Sequence, residues 1–228
     1  MKLTNNIELL EIQSNQGKSN IVLTWDKDNL VLIDAGFPDQ IDGILNAIRN
    51  AGFRAEALTH LVITHQDWDH IGCIMELQRI APKLKVLAHE EEIPYIDGRK
   101  TPIKLAARLA RQDNLTLKEQ ERYKKQKVFY DSQRIVVSQG VQDKEIIPIC
   151  GGIEVVHTPG HTPGHIALYL RQSRIMVCGD AATVKEGQLV DLNPSSHFDP
   201  ELASLSLDKI KSYEMSGIAA YHGGYLGM

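Results

Sequence analysis

Apolar positions along this chain recur with two periods, and the points where one gives way to the other predict its elements. Ile7 to Ile12, Asn20 to Trp25 and Leu30 to Ile33 are short runs dominated by Ile, Val and Leu, as strands require. A helix is expected from about Gln40 to Asn50, with Pro38 near its start and Gly52 just past its end as punctuation. The run Leu58 to Thr64 is short, apolar and branched, and suits a strand buried on both faces. It delivers the chain to His65. From His70 or Ile71 to Ile80 the pattern is again helical, stopped by Ala81-Pro82, and Lys85 to Ala88 reads as the next strand.

Between about Glu90 and Lys127 the composition turns charged and helix-favouring, with Ile103, Leu105, Leu109 and Leu115 set among many Lys, Arg and Gln. That pattern describes surface helices with solvated charges, or a lid laid over a site. Strands are then expected at Ile135 to Ser138, Glu145 to Ile149, Ile153 to His157, His165 to Leu170 and Arg174 to Cys178. A helix from about Pro200 to Tyr213, capped by Asp199, and a strand Gly217 to Tyr221 complete the chain. Two such halves, each a sheet covered by helices on one side, bury both sheets face to face, so the expected organisation is one α/β domain over residues 1–228.

Composition narrows the partners. A net charge of −4 gives no broad attraction for phosphate backbones or anionic lipid, so neither nucleic acid nor a membrane is expected as a partner, and a small-molecule substrate is. The N-terminal MKLTNNIELLEI lacks the apolar stretch of a secretory signal, which points to the cytoplasm. Cys73, Cys150 and Cys178 lie far apart and form no C-x-x-C pair, so they read as small buried residues. Nothing in the sequence specifies an oligomeric state.

The chemistry is concentrated at strand ends. Thr64-His65-Gln66-Asp67-Trp68-Asp69-His70-Ile71-Gly72 crowds four metal-capable side chains behind a buried strand. Such groups repel or desolvate one another unless a cation holds them. In an extended strand His65, Asp67 and Asp69 share a face, and His70 joins them only if the chain bends there. His161 and His165 sit in a Pro- and Gly-rich loop, Asp180 follows the strand ending at Cys178, and His222 follows the last strand. Independent turns are not expected to present only nitrogen and oxygen donors behind four separate strands.

This ordered set resembles the metallo-β-lactamase superfamily, whose signature is H-x-H-x-D-H, then a His in a Gly-His loop, an Asp and a final His. The likeness runs from about Ile7 to His222. It implies a four-layer αββα sandwich, two divalent metal ions with zinc the first expectation, and hydrolysis by a water held between them. Carried over by position, it implies that His65, Asp67 and His161 hold one ion, that Asp69, His70 and His222 hold the other, and that Asp180 bridges them. Asp69 then orients the attacking water and relays its proton, while His165 and Asp34 steady the ligands from behind.

One position departs from the signature: Asp67 replaces its second His and supplies a harder oxygen donor, which opens the site to iron or manganese. Asp67, Asp69 and Asp180 bring three negative charges, so two divalent ions and a bridging hydroxide sum to zero. The compact lactonase and general hydrolase branches fit this length, which implies a small ester, lactone or thioester as substrate, with a phosphodiester as the alternative. Ile93, Tyr95 and Tyr123 are expected to line the pocket. A di-iron redox protein and a non-catalytic metal binder are the readings from other classes. His60, His89, His157 and His197 lack comparable context and read as ordinary polar residues.

Overall fold

The computed structural model describes residues 1–110 and 115–228, and its three apolar cores define four layers. Strands β1 (Lys2–Thr4), β2 (Ile7–Gln13), β3 (Lys18–Trp25), β4 (Leu30–Ile33), β5 (His60–Ile63), β6 (Lys85–His89) and β7 (Gln139–Val141) form one sheet in that order. Its first four strands pair antiparallel and its last four parallel, the parallel steps being crossed by helices. The second sheet runs β15 (Gly224–Gly227), β14 (Gly217–Ala220), β11 (Ile175–Val177), β10 (Ile166–Leu170), β9 (Ile153–His157), β8 (Ile146–Ile147). A small ribbon of β12 (Thr183–Lys185) and β13 (Gln188–Val190) stands apart.

Strand alternation sorts side chains between the layers. In β4, Val31 and Ile33 face the second sheet, while Leu30 and Leu32 face the helices. Helices α1 (Ile41–Asn50), α2 (Trp68–Ile71), α3 (Ile74–Ile80), α4 (Ile93–Ile96), α5 (Ile103–Leu109) and α6 (Leu117–Ser132) belong to the first half. Ile44, Ile48, Ile74, Leu77, Leu105 and Tyr130 anchor this layer in the core. On the far side α7 (Pro200–Lys211) buries Leu207 and Ile210 against Val156, Met176 and Ile218. The result is the αββα sandwich anticipated from the sequence. All three cysteines are free and buried, as read. Among the described residues no helix is long and apolar enough to cross a membrane.

Several boundaries differ, each for a local reason. The strand expected at Ile135 to Ser138 is absent, and pairing with β6 starts instead at Gln139. The Gln78 side chain takes the hydrogen-bonding groups of Val136, donating to its carbonyl at 2.8 Å and accepting from its N–H at 3.4 Å. The predicted helix through Ile80 is broken between α2 and α3, because the Gly72 and Cys73 N–H groups donate to the Gly36 and Ala35 carbonyls. A Cβ at Gly72 would stand 2.3 Å from the carbonyl carbon of Phe37, so only glycine permits this approach. The strands β1, β12, β13 and β15 were not anticipated, being too short or glycine-bearing to show a period. Among the described residues the charged excursion carries α4, α5 and α6, the last running beyond Lys127 to Ser132. Asp199 caps α7 as expected, accepting from the N–H groups of Glu201 and Leu202, each at 3.0 Å.

Candidate metal centre

Behind β5 the chain turns directly into α2. Asp67, with extended backbone at φ −66° and ψ 143°, is the residue before the helix. Asp69 and His70 therefore lie in the first helical turn, and the bend falls at Asp67, earlier than an extended run through Asp69 requires. His161 comes from the loop between β9 and β10, Asp180 from the turn after β11, and His222 from the turn between β14 and β15.

These seven side chains converge in two groups that share Asp180. In the first, His161 Nε2 is 3.3 Å from Asp67 Oδ2 and 3.2 Å from Asp180 Oδ2, and His65 Nε2 is 3.5 and 4.0 Å from the same two oxygens. In the second, His222 Nε2 is 3.4 Å from both Asp69 Oδ2 and Asp180 Oδ2, and His70 Nε2 is 3.8 Å from Asp69 Oδ2 and 3.4 Å from Asp180 Oδ1. A tetrahedral ion with bonds of about 2.0–2.1 Å sets its donors roughly 3.3–3.4 Å apart, and the contacts of His161 and His222 lie close to that spacing while those of His65 and of His70 with Asp69 are somewhat longer. His65 Nε2, His70 Nε2 and Asp180 Oδ1 are buried without a hydrogen-bond partner among the described residues. Orphaned donors aimed at one place fit a metal better than any protein partner.

The local field agrees. Against the cost of burial, Asp180 and then Asp69 hold the His222 imidazolium up to about 10, the mark of an anionic centre that attracts cations. Burial, reinforced by His70, pushes His65 down to about 4, which keeps its nitrogen free of a proton. His165 falls well below the usual range through burial and then His65.

Surrounding residues fix these ligands in place. His70 Nδ1 lies 2.9 Å from Asp34 Oδ2, which also accepts from the Thr64 hydroxyl, so the Nε2 lone pair of His70 points inward. His165 Nε2 accepts from the Asp180 N–H at 3.0 Å, and its Nδ1 meets the Thr158 hydroxyl at 2.8 Å. Thus Asp34 holds a ligand side chain and His165 holds a ligand's backbone. Glu92 carries a further support that the sequence did not show. Its buried carboxylate accepts from the N–H groups of Gln66 and Gly164, each at 2.8 Å, and so joins the two ligand loops.

His197, read from the sequence as an ordinary polar residue, requires correction. Its side chain is buried, with Nδ1 3.2 Å from His161 Nδ1 and Nε2 2.6 Å from Asp191 Oδ1. One proton arrangement satisfies this chain when His161 Nε2 faces an ion: His161 Nδ1–H donates to His197, and His197 Nε2–H donates to Asp191. No local motif marks it, because 36 residues separate the two imidazoles. His197→Ala is expected to weaken binding of an ion at the His65, Asp67 and His161 position by about 10- to 100-fold and to leave the Asp69, His70 and His222 position as it is, measured at high zinc by competition with a chromophoric chelator. Unchanged affinity of the weaker position would remove His197 from the site.

His89 and His157 keep their ordinary reading. Their rings stack at 4.5 Å within 4° of parallel, with Glu91 nearby. In-plane lone pairs on parallel rings do not converge, and His157 Nε2 already contacts the Pro163 carbonyl at 2.8 Å. His60 stands apart, its Nδ1 2.9 Å from the hydroxyl of Thr59.

A cleft of about 80 Å³ opens beside the centre, lined by residues that include Asp67, Trp68, Asp69, Lys104, Arg108 and Tyr130. Ile93, Tyr95 and Tyr123, expected to line the pocket, lie outside it. Ile93 and Tyr123 pack on the helical core, and Tyr95 lies under the Lys100 ammonium. Helix α5 instead presents Lys104, whose Nζ lies 2.6 Å from Asp67 Oδ2 and 2.5 Å from His161 Nε2.

Comparison with known proteins gives the family of the chain. Residues 14–216 match the family described as the metallo-beta-lactamase superfamily. A probable metallo-hydrolase of Bacillus subtilis, YflN, is 28% identical over 214 residues, which cover 89% of this chain and 78% of that protein. An N-acyl homoserine lactonase of a Bacillus species is 24% identical over 177 residues, 76% of this chain but 58% of that enzyme. The crystal structure of TTHA1623 in a di-iron-bound form superposes with a TM-score of 0.65 at 22% identity, over 95% of this chain and 92% of that one.

Proposed function

This chain belongs to the metallo-beta-lactamase superfamily, and from that premise we propose that it is a metal-dependent hydrolase of a small ester, lactone or thioester. The observation that carries the reading is that His65 Nε2, His70 Nε2 and Asp180 Oδ1 are buried without a hydrogen-bond partner among the described residues, within groups of side chains close enough to hold a metal. His65, Asp67 and His161 are assigned to one ion, Asp69, His70 and His222 to the other, and Asp180 to both. When bound, such ions polarise the scissile carbonyl and make water acidic enough to attack it.

The protein's own groups do the rest. Asp69 lines the cleft and stands in the first turn of α2, where its carboxylate can orient an attacking water and take its proton. Asp34 and His165 keep the ligands in register, so little reorganisation accompanies the reaction. The cleft is small and lined in part by residues of α5 and α6, which suits a small acyl substrate. The lactonase relative supports an ester or lactone among the substrates.

Imidazole and carboxylate donors suit zinc, whereas the oxygen of Asp67 and the di-iron relative make iron and manganese the alternatives. The test is elemental analysis of the purified protein, followed by assay of zinc, manganese and iron forms against ester, lactone, thioester and phosphodiester panels. Metal-dependent acyl hydrolysis is the expected result. Turnover of phosphodiesters alone would move the substrate class, and metallated protein inert on every panel would refute the hydrolase assignment.

A further inference from the structure

The Lys104 ammonium stands where one of the two ions is assigned. Its Nζ is 2.6 Å from Asp67 Oδ2 and 2.5 Å from His161 Nε2, two of the donors attributed to that ion, and its side chain is only 15% exposed. The imidazole nitrogen decides the matter, because a neutral His161 has one Nε2 lone pair, which either accepts an N–H from Lys104 or binds a metal. The Asp67 oxygen is less exclusive but meets a repulsion instead. An ion bonded at about 2.0–2.1 Å to Asp67 and His161 lies no more than roughly 3 Å from an ammonium on the same two atoms, with little water between the charges.

Charge balance points the same way. Asp67, Asp69 and Asp180 carry −3 together; one divalent ion and Lys104 bring +3, and the sum is zero. Two divalent ions with Lys104 still in place would leave +2, before any hydroxide. The sum read from the sequence omitted Lys104, which reaches the site from α5, 37 residues after Asp67. The other position is free of such a competitor among the described residues: Asp69, His70 and His222 converge with no ammonium between them.

We propose that Lys104 is a built-in cation of this centre, so that the protein retains one divalent ion, at Asp69, His70, Asp180 and His222, and takes up a second only when the Lys104 side chain leaves. The proposal rests on the reading of the cluster as a metal centre. In the one-ion state Lys104 also faces the cleft, where its ammonium supplies the positive charge that a second ion would have offered to a developing oxyanion. Occupancy of the site is thereby tied to α5, the helix that carries Lys104.

The experiment is a cobalt(II) titration of the metal-stripped full chain, followed by its ligand-field absorption, with zinc per chain measured by elemental analysis after dialysis. Wild-type protein is expected to saturate at one equivalent, with any second equivalent bound at least about 100-fold more weakly. Lys104→Met should bind two equivalents tightly, and Lys104→Arg should remain at one. Because the wild-type titration needs no variant, poor folding of Lys104→Met leaves the first arm decisive. Two equivalents of matched affinity in the wild type, or a well-folded Lys104→Met that still stops at one, would overturn the role of Lys104 while leaving the metal centre intact. Wild-type protein that binds no ion would overturn both readings.

Discussion

Asp180→Ala is expected to lower kcat/KM by on the order of 10³-fold or more and to strip the centre of its metal, with the chain still folded. The scale follows from where its two oxygens lie. Oδ2 is 3.2 Å from His161 Nε2 and 3.4 Å from His222 Nε2, and Oδ1 is 3.4 Å from His70 Nε2, so one carboxylate serves both groups. Its side chain makes no structural hydrogen bond that the fold would miss, because Oδ1 has no partner among the described residues and the backbone N–H does the anchoring to His165. His222→Ala removes a partly exposed ligand of the same ion, its side chain 30% exposed, where water can take its place, and should cost less metal. Elemental analysis with kcat/KM on the best substrate of the panel tests the order. Equal metal content in Asp180→Ala and wild type would place the ions elsewhere.

Gly160→Ala is expected to destabilise the protein by about 2–5 kcal/mol, the sum of overpacking and a left-handed backbone. Gly160 has φ +128°, and a Cβ there would lie 2.2 Å from the backbone nitrogen of Ala203 in α7. Helix α7 and the loop are tied together at this point: the Asp199 N–H donates to the Gly160 carbonyl at 2.9 Å, and the Ser206 hydroxyl donates to the Pro159 carbonyl at 2.6 Å. The helix cannot yield without dragging His161, the next residue, away from the centre. Gly52→Ala is the control, since φ is also positive there, +93°, but nothing lies within 4 Å of the added carbon. It should cost only the backbone contribution, about 1–2 kcal/mol. Urea unfolding of both variants measures the contrast; similar losses would show that backbone angle alone sets the cost and that contact with α7 is immaterial.

Most of the layer order was legible in the chain. Branched apolar runs such as Leu30 to Ile33 and Ile166 to Leu170 have few alternatives to buried strands, and Asp199-Pro200 signals a helix start by capping chemistry. Elements of three or four residues such as β1 and β12 were not, because so few side chains establish no period. The failure at Ile135 to Ser138 has another source: the pattern was apolar enough, but the side chain of Gln78, 58 residues away, took the backbone groups of Val136.

The same division runs through the candidate site. Ligand-type residues announced themselves by density and by their places behind strands, since ionisable groups crowded at the end of a buried run are costly without a purpose. The partners that tune them did not. Asp191, His197, Glu92 and Lys104 reach the centre from separate loops and helices, and no local pattern distinguishes them from surface residues. Local sequence thus determined which donors stand at the strand ends, because backbone periodicity acts over a few residues. Tertiary packing decided that an ammonium from α5 shares those donors, because electrostatic pairing acts through space between segments the chain keeps far apart.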